Sequence, residues 1–282
     1  MRLEEREYDR RTQHGADNGS GHQVAMERKM AAKNGWTREQ LLVAFTLYCQ
    51  MPFGKMHARN PEIVRHAELI GRTPSALAMK LTNIASLDPA ITLSGRKGLE
   101  GASTTDKAMW EEAQADWERF AEEAQLALTL FGATTDRTPP ANDSDDYTGH
   151  NRTVTTTTRV GQDFFRRSVL SAYNYRCCIT GLSVPTLLVA SHIVPWSSDA
   201  KNRLNPRNGL CLSMLHDKAF DAGIIGIAAD MTIRISRKHA VKSDPFFDSA
   251  LLAYDGRPIV PPEKFHPLEE FLAYHRQHIF SA

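Results

Sequence analysis

Five side chains within a 32-residue stretch, His192 to Gly223, have types and spacing that suit proton transfer beside a bound cation: His192, Asn208, His216, Asp217 and Asp221. An imidazole held at the end of a strand titrates near neutral pH, which makes His192 the candidate general base. Asp217 and Asp221 stand four residues apart, so on a helix they project from one face and can hold one cation. Asn208 precedes Gly209 in a turn-rich stretch, a position where an amide side chain is common. Taken singly, each residue has a bland explanation: a core histidine, a turn former, a helix cap and a surface charge. It is their occurrence together that points to chemistry.

The elements that must position them can be read from the same stretch. Leu187 to His192 is apolar enough for a strand, Pro195 to Asn208 is turn-rich, Gly209 to Met214 is again strand-like, and Gly223 closes a short helix. The order is strand, loop, strand, helix. A helix with Phe164, Phe165, Val169, Leu170 and Tyr173 at helical spacing precedes it.

In order and approximate spacing, His192, Asn208 and His216 resemble the HNH, or ββα-metal, nuclease motif. The runs ASHIVPW, RLNPRNGL and HDKAFDAG are similar to restriction-endonuclease-like members, including antiphage nucleases, as are YRCCITG before the motif and FLAYHRQHIF near the C-terminus. The similarity spans roughly residues 158–280. It implies a phosphodiester hydrolase that uses a divalent cation, Mg²⁺ or Mn²⁺, to neutralise charge developing on phosphate oxygens. It also implies a role in restriction or phage defence. His192 is then the base and Asn208 its support. Two arrangements are open for the metal: His216 ligates it with Asp221, or Asp217 and Asp221 do so while His216 holds substrate or fold. Ser191 occupies a position where relatives carry a stronger ligand, leaving fewer charged oxygens on the cation. Lys201, Arg203 and Arg207 crowd the loop between base and Asn and are candidate phosphate contacts. Trp196 either pins that loop or touches DNA.

Upstream, helical signals recur. Thr37 can cap a helix with Leu41, Leu42, Ala44, Phe45 and Tyr48 as its apolar stripe. PEIVRHAELI has Pro61 at its first position, and after Gly-Arg-Thr a further helix starts at Pro74 with Thr73 as its cap. From WTREQ to SLDP this pattern resembles Myb-like and helix-turn-helix modules. The likeness makes Arg72, Ser75, Lys80 and Asn83 candidate DNA contacts, against the simpler reading of a solvated helix face. Residues 109–132 read as one long acidic amphipathic helix, with Trp110, Trp117 and Phe120 in the core.

These readings predict an α+β protein: an N-terminal all-α helical domain and a C-terminal ββα-metal nuclease domain. The expected boundaries are a leader at 1–35, a helical domain at 36–131, a linker at 132–158 and the nuclease domain at 159–282. The formal net charge of +1 conceals opposites. Residues 51–99 hold seven Lys/Arg against three Asp/Glu, and 151–218 hold nine against three, whereas 100–146 hold three against twelve. Basic stretches of this kind suit a polyanion. There is no run of 18 apolar residues and no secretory leader, so the chain reads as a cytoplasmic, membrane-free protein. Cys49, Cys177, Cys178 and Cys211 lack C-x-x-C spacing and read as buried thiols. The expected partner is double-stranded DNA, with a homodimer serving to cut both strands. The alternatives are a DNA-binding regulator that has lost activity, with Ser191 as its suspicious feature, and a nuclease acting on RNA or structured nucleic acid.

Overall fold

The computed structural model describes residues 35–95, 101–132, 156–238 and 244–281. The leader expected at 1–35 and the linker expected at 132–158 fall almost entirely outside the described residues. From Arg38 onward the chain forms one compact unit.

Its helical part comprises α1 (Arg38–Gln50), α2 (Pro61–Leu69), α3 (Pro74–Ala85), α4 (Pro89–Leu93), α5 (Thr104–Ala115) and α6 (Trp117–Leu130). Helix α1 is buried from Gln40 to Cys49 rather than along one stripe, because α3, α6 and α7 (Thr156–Ala172) all pack on it. Helices α2, α3 and α4 each begin with proline behind a side-chain cap: Asn60, Thr73 and Asp88 accept from the N–H groups of Glu62, Ala76 and Ala90. Gly71 adopts φ +68° past the end of α2, a left-handed conformation that ends a helix cheaply only at glycine. The acidic helix expected over 109–132 is instead two helices. Asp116 is extended (φ −154°, ψ 91°) and its carboxylate accepts from the N–H of Arg119, so it ends α5 and caps α6.

Helix α7 leads into a hairpin of β1 (Leu188–His192) and β2 (Gly209–Ser213), followed by α8 (Met214–Asp221), β3 (Ile225–Ile227), β4 (Ile233–Ile235), α9 (Pro245–Ala250) and α10 (Glu269–His278). Both sheets are antiparallel pairs, and the first runs in register from Leu188↔Ser213 to His192↔Gly209. The architecture is α+β: a helical N-terminal region and a C-terminal part with small sheets. No helix among the described residues is long and apolar enough to cross a membrane.

One aromatic core serves both parts. Trp117 of α6 meets Phe120, Phe164 of α7 and Phe265 at centroid distances of 5.9, 6.2 and 5.8 Å. Burial of such rings contributes both area and edge-to-face attraction. Beside this cluster, fully buried Lys264 donates to the carbonyls of Tyr48, Cys49 and Met51, the last two at 2.8 Å. Its three N–H donors thus satisfy carbonyls that α1 leaves open at and beyond its C-terminus. The Asp88 carboxylate ties the same region, accepting from Tyr48 Oη at 2.7 Å and Phe265 N at 3.2 Å.

Candidate active site

The hairpin presents His192 at its loop end, opposite Gly209, and the loop between the strands folds back over it. Asn208 holds that loop: its Oδ1 accepts from Val194 N at 2.8 Å, and its Nδ2 donates to Val194 O and Asn202 O at 3.2 and 3.3 Å. The side chain is fully buried, so each of these bonds replaces water that cannot reach it. Gly209 follows because a Cβ there would run into Val169 and Phe165 of α7.

His192 is gripped on three sides. Its ring stacks on Phe165 at 3.9 Å and 7°, Trp196 meets it edge-on at 5.5 Å, and Nε2 lies 2.9 Å from the Arg203 carbonyl. A carbonyl only accepts, so Nε2 carries the proton and Nδ1 keeps the free lone pair. Burial lowers the ring's pKa, with the Arg203 carbonyl opposing this, so the ring is neutral at pH 7 and able to take a proton. Trp196 therefore pins the loop.

On the other face of β1, Ser191 lies against α8, as strand alternation requires. Its Oγ is buried without a full hydrogen bond, yet it is close enough to the Asp217 carboxyl to pull that group's pKa down. Asp217 is nevertheless raised, because burial outweighs Ser191 and Lys218. Asp221 is raised to about 6, first by burial and then by the neighbouring Asp217 charge. Lys218 Nζ stands 3.8 Å from one oxygen of each carboxylate. Each aspartate of α8 thus has an oxygen near the same ammonium, and the Asp217 charge is felt at Asp221.

His216 does not join them. Ser213 Oγ accepts from the His216 backbone N–H at 3.4 Å and shares a 2.7 Å hydrogen bond with Nδ1, in which the ring tautomer sets the donor. The ring stands edge-on to Tyr254 at 5.6 Å, and Nε2 is buried without a hydrogen bond, with only a weak pull from the Ala250 carbonyl. Among the described residues no three His, Cys, Asp or Glu side chains gather as a metal site. What converges is two carboxylates and an orphaned hydroxyl. Such an all-oxygen set suits a hard cation like Mg²⁺, which keeps several waters.

The expected nucleic-acid contacts separate into several situations. Lys80 is a correction: it is buried and bonded to both oxygens of Asp106 at 2.8 and 2.9 Å, because an ammonium inside the helical core needs a carboxylate partner. Arg72 donates through Nε and a terminal nitrogen to Gln40 Oε1 at 3.1 and 2.9 Å, which commits part of its fork. Ser75 is exposed and Asn83 half-buried. In the loop Lys201 is exposed, whereas Arg207 donates to the His266 carbonyl at 3.1 Å. Arg203 lies 5.2 Å from the Trp196 ring centre and 4.0 Å from Glu118 of α6. The sequence had not singled out Phe165 as the ring beneath His192 or Lys218 between the aspartates. Phe165 carried only a core-helix signal, and Lys218 was legible as a cation flanked by both carboxylates once α8 was drawn.

The family model described as HNH endonuclease matches residues 177–228. The match covers well under half of the chain, and the fold around it is α+β with a helical N-terminal region. Among solved structures, a modification-dependent TagI restriction endonuclease is similar at 17% identity, with a TM-score of 0.29. That alignment covers 41% of this chain and 37% of that one. No curated protein matches the chain.

Proposed function

We propose that the protein is a metal-dependent endonuclease that hydrolyses phosphodiester bonds in double-stranded DNA. The observation that carries this reading is the neutral, loop-gripped His192 next in sequence to Ser191, whose buried hydroxyl lies beside the Asp217 carboxyl of α8. Asp217, Asp221 and the Ser191 hydroxyl hold the cation. When bound, a divalent cation supplies charge stabilisation to phosphate oxygens in the transition state. His192 accepts the proton of the attacking water at Nδ1, and its Nε2–H stays on the Arg203 carbonyl, so the ring does not turn as it charges. Asn208 keeps that carbonyl in place by fastening the loop at Val194 and Asn202. His216 packs α8 from its first turn, where Ser213 is the cap. Lys201 and, once freed from its partners, Arg203 contact phosphates. Arg207 supports the loop, and Ser75 and Asn83 remain the candidates for DNA contact from the helical part.

The domain boundaries expected from the sequence, a homodimer that cuts both strands, and a role in restriction or phage defence belong to the same proposal. Their support is the resemblance and the geometry of a single site. Substrate class is tested by cleavage of labelled duplex DNA and of RNA of the same sequence, with Mg²⁺ and with EDTA. Cutting of duplex DNA alone, lost with EDTA, supports the proposal; cutting of RNA alone refutes it.

A further inference from the structure

Lys218 has no role in the chemistry above, yet it has an unusual position. It sits between Asp217 and Asp221 in sequence, and its ammonium is 3.8 Å from Asp217 Oδ2 and 3.8 Å from Asp221 Oδ2. Both distances exceed those of a short charged hydrogen bond, so the lysine pairs loosely with both aspartates rather than closing on one. The Asp217 side chain is 8% exposed and that of Lys218 is 64% exposed, so the lysine reaches in from solvent and can leave at little cost.

We infer that Lys218 is a resident counter-ion that holds the place of the divalent cation. Its ammonium screens the two carboxylates from each other while the cation is absent, and it competes with the cation for the same oxygens. When the cation enters, like-charge repulsion drives Lys218 outward along its flexible stem. The displaced charge then lies beside the bound cation, where it contacts a phosphate of the substrate strand. Cation entry and substrate binding are thereby linked through one side chain. Lys218 matters in this way only if Asp217 and Asp221 hold the cation, as proposed above.

The test is Mn²⁺ binding by full-length wild type, Lys218→Gln and Asp217→Asn, read from the electron paramagnetic resonance signal of free Mn²⁺. At about pH 8 both carboxylates are ionised, so losing Lys218 removes a competitor without leaving a protonated acid. Lys218→Gln is expected to bind Mn²⁺ about ten-fold more tightly than wild type, an advantage that shrinks with added salt. With Ca²⁺ in place of Mn²⁺, duplex DNA binding by Lys218→Gln is expected to show a salt slope smaller by about one phosphate contact. If Lys218→Gln binds Mn²⁺ no more tightly than wild type while Asp217→Asn binds it poorly, the cation site stands and the role of Lys218 falls. If Asp217→Asn binds Mn²⁺ as well as wild type does, the cation site itself is misplaced and the inference falls with it. Matching thermal unfolding of the variants excludes misfolding as the cause.

Discussion

Replacing Asp221 by Asn should stabilise the protein at neutral pH, the opposite of what losing a paired surface carboxylate does. Its carboxyl rises from 3.8 to about 6 because burial and the Asp217 charge both oppose its ionisation. At 1.36 kcal/mol per pK unit this corresponds to about 3 kcal/mol. Although neighbouring atoms crowd the carboxyl, 52% of the side chain still meets water, so screening reduces the expected gain to about 1 kcal/mol. The sign follows from linkage. The folded state holds this proton more tightly than the unfolded chain, so stability is lost as pH rises from about 4 through about 6, and the cost is complete above that. Asp221→Asn escapes it. In urea unfolding the variant should therefore exceed wild type by about 1 kcal/mol at about pH 7.5, or about 2–4 °C in Tm, and match it near pH 4. Added Mg²⁺ should raise the wild-type midpoint by mass action and leave the variant's nearly unmoved. A variant no more stable than wild type at neutral pH, or a difference independent of pH, would refute the reasoning.

Other outcomes follow from the same geometry. Cleavage should climb from about pH 5 to about pH 7 and then level off, because Asp221, at about 6, must be ionised and His192, lowered by burial, must be neutral; a rate that falls across that interval contradicts the assignment. Asn208→Ala should cost roughly 2–3 kcal/mol in urea unfolding, since it orphans buried partners at Val194 and Asn202. Lys201→Ala should weaken duplex binding for all sequences alike and lower the salt slope by about one, as a phosphate contact does. Lys80→Ala should cost roughly 3–5 kcal/mol of stability by stranding Asp106, with the salt slope unchanged.

What the sequence made legible was local. The hairpin, its loop and α8 follow from apolar runs, turn residues and Gly223, and the starts of α2 and α3 follow from Pro61, Pro74 and the cap Thr73. Residues far apart in sequence were not legible. Nothing in the run around Lys80 shows that Asp106, across an intervening turn and α4, would draw it into the core. A short polar face on an amphipathic helix looks the same whether it meets DNA or another helix. Asp116 could equally continue a helix or cap one, and only its extended backbone decides. The surroundings of His216 were not legible either, since spacing does not encode a rotamer: Ser213 Oγ lies 2.7 Å from its Nδ1 and Tyr254 stands edge-on to the ring.

The most direct test is a time course of supercoiled plasmid with Mg²⁺, comparing wild type with His192→Ala and with EDTA. Nicked or linear product should form in wild type, fall by roughly 10²–10⁴-fold in His192→Ala and vanish with EDTA. Cutting that persists undiminished in His192→Ala, or the absence of any cutting by a folded, DNA-binding wild type, would contradict the assignment of this site.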